Sequence, residues 1–279
     1  MAHTESSFIG KHGTRIDYDV WTPDGPPVAV LVLAHGLGEH ARRYDHVVER
    51  LVGLGLAVYA PDHRGHGRSG GKRVELKAWS DFTDDLHQLV GIATTEQPGL
   101  DLYLLGHSMG GAMALSYALD HQDLLAGLIL SGPAVDVTTG VPGVVVEVGK
   151  IVGRFLPSLP VQTLDANLVS RDPAVVAAYK ADPLVHHGKV PAGIARGLIV
   201  NAESLPERLP SLRIPLLLLH GSEDGLANVN GSRMIAATVT LDDLTYTEYP
   251  GLYHEVFNEP EREQVLDDLV GWLQPRLAH

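Results

Sequence analysis

The chain has 279 residues, 44% of them hydrophobic and 20% charged, and this share of apolar side chains excludes intrinsic disorder as its main state. Acidic residues outnumber basic ones by 34 to 21, and the resulting net charge of −13 argues against nucleic acid as a partner. The absence of cysteine excludes disulfide scaffolds, thiol nucleophiles and cysteine-ligated zinc, so any chemistry depends on serine, aspartate, glutamate, histidine or lysine.

The predicted secondary structure starts with a β-hairpin in residues 6–22, whose turn lies at 11–14. Beyond the hairpin, strand-length apolar runs alternate with helical patterns. The runs predict buried strands at 28–34, 56–60, 102–105, 125–130, 216–219 and 244–249. The predicted helices are 43–54, 79–97, 109–121, 230–239 and 260–274, the last with Asn258 as its N-cap. This alternation predicts an open, doubly wound α/β sheet that binds ligands at the carboxyl ends of its strands.

One long interval interrupts the alternation. Eighty residues separate Pro133 from the strand that opens at Ile214, far more than an ordinary crossover connection requires. We therefore predict an inserted helical cap. The predicted division is a first core segment (1–136), a cap or lid (137–205) and a second core segment (206–279).

Within the predicted cap, one helix has a narrow polar stripe formed by Glu147, Lys150 and Arg154. Most of its other positions are apolar, Val145 and Val148 among them. Two interpretations remain open. The apolar surface packs against the core or a neighbouring cap helix, as apolar helix faces usually do, or it faces lipid and lines an acyl-binding site.

The sequence contains no pattern typical of a membrane span or a secretory signal. Its longest apolar runs, such as 28–34 and 215–219, have the length of strands and fall far short of the ~20 residues that a spanning helix needs. The first seven residues lack both a basic segment and an apolar segment. We therefore expect a cytoplasmic protein.

Two segments match the pattern G-x-S-x-G, and their contexts differ. Ser108, in 106–110, follows an apolar strand directly and precedes a helix-forming run, which is the setting of a nucleophile elbow. Ser69, in 67–71, lies in a polar, glycine-rich loop. We therefore predict Ser108 as the nucleophile and Ser69 as a loop residue.

An activated serine requires a base, and the base requires an acid that orients it. Along the chain, Ser108 is followed by Asp224 and then by His254, and each of these two lies just past the end of a predicted strand. Glu223 and Asp136 are alternative acids. We favour Asp224 because the glycines that flank its loop allow the carboxylate to turn towards the next loop.

The remaining component is a pair of backbone N–H groups that bind an oxyanion. In hydrolases with a nucleophile elbow, one N–H comes from the residue after the nucleophile and the other from an earlier loop that follows a strand. Met109 and Leu37 occupy these positions, Leu37 within His35-Gly-Leu-Gly38 directly after the strand 28–34.

With these elements in place, the sequence resembles the serine α/β-hydrolases of the monoacylglycerol lipase and lysophospholipase type, in particular their bacterial members. The segments that carry the resemblance are 35–44, 62–70, 106–110, 182–184 and 251–255. The resemblance implies a mostly parallel eight-stranded sheet with an antiparallel N-terminal hairpin, helices on both faces and a helical cap after the sixth strand. It also implies a triad of Ser108, Asp224 and His254, and a cap that gates an acyl tunnel.

The implied substrate is a monoacylglycerol or a related single-chain ester, with no cofactor. The candidate substrate-binding residues are Gly36, Glu39, Arg43, His107, Val145 and Val148. Contact with a membrane or a lipid droplet through the cap is a further expectation, and the oligomeric state stays open.

Other functions find less support in the sequence. The histidine pairs His63/His66 and His186/His187 lack the H-E-x-x-H spacing of a zinc hydrolase, so no metal is expected. The glycine pattern at 36–38 lacks the remainder of a dinucleotide fingerprint. The enzymes that stay as alternatives are a lysophospholipase, a broad carboxylesterase and an aminopeptidase-like hydrolase. The alternative that is not an enzyme is a lipid-binding receptor with the hydrolase fold.

Overall fold

The computed structural model describes residues 1–277, which form an eight-stranded sheet flanked by helices. The strands are β1 (Ala2–Ile9), β2 (Arg15–Thr22), β3 (Ala29–Ala34), β4 (Leu56–Pro61), β5 (Leu102–His107), β6 (Gly127–Ser131), β7 (Pro160–Gln162), β8 (Val190–Pro191), β9 (Leu216–Gly221) and β10 (Leu244–Tyr249). The α-helices are α1 (Asp45–Gly53), α2 (Ser80–Glu96), α3 (Met109–His121), α4 (Gly143–Phe155), α5 (Pro173–Ala181), α6 (Ala192–Arg208), α7 (Val229–Thr238) and α8 (Arg262–Leu273).

The strand order in the large sheet is β1-β2-β4-β3-β5-β6-β9-β10. The pairs β1–β2 and β2–β4 are antiparallel, and every pair from β4 to β10 is parallel. This topology confirms the predicted mostly parallel eight-stranded sheet with an antiparallel N-terminal hairpin.

Both faces of the central strands are buried. On β3, Val30 and Val32 pack into a core shared with α2 and α3, whereas Leu31 and Leu33 pack into a core shared with α1 and α8. Because successive side chains of a strand point to opposite faces, a strand covered by helices on both sides reads as an unbroken apolar run. This explains why the apolar runs predicted the central strands well.

The predicted start of the last helix was wrong. The helix α8 begins at Arg262, and Asn258 instead ends a short 3₁₀ turn that spans Val256–Asn258. The N-cap position of α8 is Glu261, and the side-chain amide of Asn258 donates a hydrogen bond of 2.8 Å to the Glu255 carboxylate within the turn. The 3₁₀ turn, a second local structure, therefore occupies the position at which the sequence pattern predicted the helix cap.

The inserted segment, residues 132–215, lies between β6 and β9 and contains α4, α5, α6 and the two-stranded β7–β8 sheet. The sequence did not predict β7 and β8, which are three and two residues long and each contain a proline. The predicted boundaries at 137 and 205 stay predictions, and α6 runs through position 205 to Arg208. Within residues 1–277, no helix combines the length and the apolar character that crossing a bilayer requires.

Candidate active site

The parallel strands bring several loops to one edge of the sheet. Ser108 follows β5, Asp224 follows β9 and His254 follows β10, while Leu37 lies in the loop after β3. These four residues line a cavity of about 610 Å³, together with Met109. The structure therefore places all five predicted residues around one site.

Ser108 lies in a turn so tight that its neighbours must be glycine. Its backbone has a φ of +55°, a conformation that is strained for a residue with a side chain. A Cβ atom at Gly106 would lie 2.3 Å from the carbonyl oxygen of Gly110, and one at Gly110 would lie 2.1 Å from that of Ala34. The two glycines of G-x-S-x-G thus allow β5 and α3 to approach closely and present Ser108 at the N-terminus of α3.

The carboxylate of Asp224 is held by four hydrogen bonds. Its Oδ2 accepts from Nδ1 of His254 at 2.7 Å and from Nε2 of His220 at 3.0 Å. Its Oδ1 accepts from the backbone N–H groups of Leu226 and Ala227, at 2.8 and 2.9 Å. Three contacts from its own loop and strand therefore fix the orientation in which Asp224 meets the imidazole.

The Asp224–His254 pair shifts the titration of both groups. Burial opposes the ionisation of Asp224, but the imidazoles of His254 and His220 hold its pKa well below the usual range. Burial also opposes the charged form of His254, yet the carboxylates of Asp224, Glu255 and Glu39 together outweigh it and raise the pKa of His254. The site can therefore stabilise an imidazolium ion.

The catalytic face of the imidazole is open to the cavity. Within residues 1–277, Nε2 of His254 and the hydroxyl of Ser108 have no hydrogen-bond partner, and both residues line the cavity. In structures without a substrate, catalytic hydrogen bonds are often long and tighten only when the substrate binds. Both groups are therefore available for hydrogen bonds with a substrate that enters the cavity.

The N–H groups of Leu37 and Met109 can serve as a pair of donors. Met109 is the first residue of α3, so its N–H has no partner within the helix. The loop that carries Leu37 is fixed on its other side, because the N–H of Gly36 donates to Oε1 of Glu39 at 2.6 Å. A carbonyl oxygen between these two N–H groups would receive the stabilisation of an oxyanion hole.

The predicted substrate-binding residues divide into three sets. Gly36, Glu39 and His107 line the cavity. Arg43 lies behind it in an ion-pair network with Glu39 and Glu255. Val145 and Val148 lie outside the cavity lining, on the exposed side of α4.

His107 is a buried neighbour of the base. Its ring lies 4.6 Å from that of His254, and its Nδ1 is 3.2 Å from the hydroxyl of Ser131. Burial, together with the nearby His254, lowers the pKa of His107 to about 3. The ring is therefore neutral near pH 7 and adds no positive charge beside His254.

The alternatives from the sequence occupy other places. Glu223 is exposed, and Asp136 lines the cavity but accepts a hydrogen bond from the backbone of Thr139. The hydroxyl of Ser69 is engaged with the backbone of Asp17 and Asp62. None of these three residues contacts His254 through a hydrogen bond in residues 1–277.

Within residues 1–277, none of the four histidines considered as zinc ligands lines the cavity. Burial lowers the pKa of His63 to about 3 and that of His66 to about 4. The ring nitrogens of His186 and His187 are closest to backbone carbonyls of Lys189 and Asp182. The described residues contain no group of three or more histidine, aspartate or glutamate side chains that could hold a metal ion.

Sequence reasoning missed three residues of the site. His220 orients Asp224, Glu255 pairs with Arg43, and Tyr179 lines the cavity and stacks on the guanidinium of Arg43 at 4.7 Å. A buried histidine at the end of β9 and a glutamate directly after the base were signals that could have indicated the first two. Nothing in the local pattern marks Tyr179, because it reaches the cavity from the inserted segment.

Comparison with known proteins decides the family. The family model described as serine aminopeptidase, S33, matches residues 25–261. The chain belongs to this serine hydrolase family. A monoacylglycerol lipase of Mycolicibacterium smegmatis is 54% identical over 274 residues, which are 98% of either chain. A monoglyceride lipase of Homo sapiens is 36% identical over 97% of this chain and 90% of its own length.

A solved structure agrees with these relatives. The crystal structure of a monoacylglycerol lipase from Paleococcus ferrophilus matches with a TM-score of 0.82 and 32% identity, covering 99% of both chains. This confirms the predicted resemblance to α/β-hydrolases of the monoacylglycerol lipase type and, with it, the fold class.

The geometry predicts how His254 titrates. We expect a pKa of its imidazole above the ordinary value of 6.5, and a decrease in Asp224→Asn, because the amide removes the negative charge while the burial remains. An NMR titration of the histidine ring protons measures this, with the signal assigned by its absence in His254→Gln. Glu223→Gln, which changes the exposed carboxylate next to Asp224, is the matched control. An unchanged pKa in Asp224→Asn would contradict the assignment of the pair.

Proposed function

We propose that the protein is a serine esterase that hydrolyses monoacylglycerols to a fatty acid and glycerol, through an acyl-enzyme on Ser108. The observation that carries the proposal is the convergence of an elbow serine and a histidine–aspartate pair joined at 2.7 Å on one cavity. Similarity to monoacylglycerol lipases along nearly the whole chain supports the choice of substrate.

In the proposed mechanism, Nε2 of His254 takes the proton of Ser108 as its Oγ attacks the ester carbonyl. The N–H groups of Leu37 and Met109 hold the oxyanion. When the intermediate collapses, the ester bond breaks and the departing glycerol oxygen takes the proton from His254. Water, deprotonated by the same imidazole, then attacks the acyl-enzyme, and the fatty acid leaves as Ser108 regains its proton. Asp224 keeps the imidazole in the required tautomer throughout.

The lining of the cavity suits a substrate with one apolar chain and a polar head. Apolar side chains of the inserted segment form one part, among them Leu164, Val190, Leu198 and Ile199. The part near Ser108 is polar and includes Glu39 and Glu255. A volume of about 610 Å³ lies in the usual range for one small ligand.

The charges of the lining favour a neutral alcohol over a phosphate. Glu39, Asp136, Asp224 and Glu255 contribute carboxylates, whereas no lysine or arginine lines the cavity within residues 1–277. A phosphate ester would bring a further negative charge among them. This favours monoacylglycerol over lysophospholipid as substrate.

A pair of substrates tests this preference. With matched acyl chains, we expect kcat/KM to be about tenfold or more lower for a 1-acylglycerol 3-phosphate than for the 1-acylglycerol, because of charge repulsion near Ser108. Steady-state assays below the aggregation concentration of both lipids measure it. The difference should narrow at high salt, which screens charges. Equal or faster turnover of the phosphate ester would favour the lysophospholipase alternative.

The role of Ser108 has its own test. We expect Ser108→Ala to lose monoacylglycerol hydrolysis by about 10³-fold or more, with an unchanged thermal unfolding midpoint. A fluorophosphonate probe should label the native protein and not the variant, whereas a lipid-binding receptor would stay unlabelled. Ser69→Ala, in the second G-x-S-x-G segment, is the matched control and should be labelled like the native protein.

The same assays separate the peptidase alternative. The family description names an aminopeptidase, so amino-acid amides with a free α-amine belong in the substrate panel. Cleavage of such amides faster than of monoacylglycerols would contradict the proposal.

We also propose that α4 brings the site to a lipid surface. One interpretation of the sequence was that this apolar surface packs on the core or on a neighbouring cap helix. The helix α4 does contact α6, but most of its apolar side chains are exposed. The exposed apolar residues of α4 are Val144, Val145, Val148, Ile151 and Phe155, and Val141, Leu156, Leu159 and Val161 are exposed in the segments that flank it. Only Val146 and Gly153 of α4 are buried among the described residues. A net charge of −13 gives no electrostatic attraction to anionic headgroups, so apolar contact would supply the binding.

Polar substitutions on α4 test this contact. We expect the double variant Val145→Asn, Val148→Asn to reduce sedimentation with phosphatidylcholine vesicles and hydrolysis of aggregated long-chain esters by about tenfold, because it removes two insertable apolar side chains. Hydrolysis of short soluble esters should change little. Leu124→Asn serves as the control. The side chain of Leu124 is exposed to a similar degree (48%, against 54% and 53%), but it lies outside the inserted segment, in the 3₁₀ turn before β6. Equal losses on both kinds of ester would contradict the proposed contact.

A further inference from the structure

A buried ion-pair network connects two loops of the site. Arg43 donates from Nη1 to Glu39 at 2.5 Å and makes a bidentate contact with Glu255, in which both distances are 2.7 Å. The three side chains are no more than 10% exposed. Burying each charge costs several kcal/mol, and two carboxylates against one guanidinium leave a negative charge in excess. Replacement by apolar residues would often be as stable, so stability alone is a weak reason for the network.

One end of the network holds the loop of the proposed oxyanion hole. While one oxygen of Glu39 meets Arg43, the other accepts the N–H of Gly36 at 2.6 Å and the hydroxyl of Tyr44 at 2.7 Å. Gly36 directly precedes Leu37, the predicted donor. A shift of Glu39 would therefore change the direction of the Leu37 N–H.

The other end holds the loop of His254. Glu255 follows His254 directly, and its backbone N–H donates to the carbonyl of Val169 at 2.8 Å. Its Oε2 also accepts from the amide of Asn258. The carboxylate is thus fixed on the protein side, and Arg43 reaches it across 212 positions of sequence.

We propose that Glu39, Arg43 and Glu255 form a positioning network that fixes the Leu37 N–H and the imidazole of His254 relative to each other. The network also supplies one uncompensated negative charge beside His254. This inference rests on the proposed function of the same site. None of the three residues needs to touch the reacting atoms, because they act through Leu37 and His254.

The surroundings of His254 indicate the sign of the electrostatic effect. Its charged neighbours are Asp224 at 2.7 Å and the carboxylates of Glu255 and Glu39, with Arg43 between the last two. His107, ring to ring at 4.6 Å, is neutral. Burial lowers the pKa of His254, whereas Asp224, Glu255 and Glu39 raise it. Removing one network carboxylate should therefore destabilise the imidazolium and lower the pKa of His254. The acid limb of the pH profile of kcat/KM, where the base loses its proton, should move to lower pH.

The deciding variant is Glu255→Gln, which keeps the size of the side chain and removes one charge. We expect kcat for a short soluble ester to fall by between about tenfold and a hundredfold, with little change in KM. The acid limb of kcat/KM should move down by roughly 0.5–1 pH unit. Glu255→Asp, which keeps the charge, should restore the position of the limb.

The control comes from the same loop. Glu259, four positions beyond Glu255, is also buried and pairs with Arg171. It does not line the cavity. Glu259→Gln removes a buried carboxylate of the same kind, so it should leave the acid limb in place. If Glu255→Gln fails to fold, Glu39→Gln tests the other end of the network and should move the limb in the same direction.

The outcomes are separable from those of the proposed function. The positioning network would be overturned if folded Glu255→Gln kept the native kcat and the native acid limb of kcat/KM, as Glu259→Gln is expected to do. The rate of fluorophosphonate labelling of Ser108, measured against pH, gives the same readout without any lipid substrate. Labelling without turnover of monoacylglycerols would contradict the proposed substrate and leave the network testable.

Discussion

The hydrogen bond between Asp224 and His254 depends on two neighbouring parallel strands. Because β9 and β10 end at the same edge of the sheet, residues 30 positions apart meet at 2.7 Å. The other hydrogen bonds of Asp224, including that from His220, hold the carboxylate in a single orientation. The rest of the site is arranged around the resulting imidazole, with Ser108 supplied by the elbow after β5.

Negative charge is concentrated around this imidazole. Asp224, Glu39 and Glu255 lie near it, and Arg43 balances only part of their charge. One arrangement then serves two purposes in the proposed mechanism: it favours the imidazolium that forms during attack, and it disfavours a phosphate on the departing alcohol. The proposed lipid contact through α4 involves a separate surface, because no residue of α4 lines the cavity.

The sequence predicted what local patterns determine and missed what distant contacts determine. The run 28–34 predicted β3 because a strand buried on both faces leaves an unbroken apolar pattern, whereas 244–249 predicted β10, which is only partly buried, through its β-prone residues and its length. Asn258 is an exception, because the 3₁₀ turn that replaces the predicted helix start is itself a local structure. Apolar helix faces usually pack inward, which was one of the two expectations for the helix that carries Val145, but the structure leaves this side chain exposed. The bidentate pair of Arg43 joins positions 212 residues apart, which no local pattern shows.

The most direct test of the account is the detection of the covalent intermediate. During hydrolysis of a monoacylglycerol, acid quenching within milliseconds followed by peptide mass spectrometry measures acylation of each serine. The account predicts the acyl group of the substrate on Ser108, with none on Ser69. Sustained turnover in which Ser108 stays unmodified, or an acyl group on another residue, would contradict it.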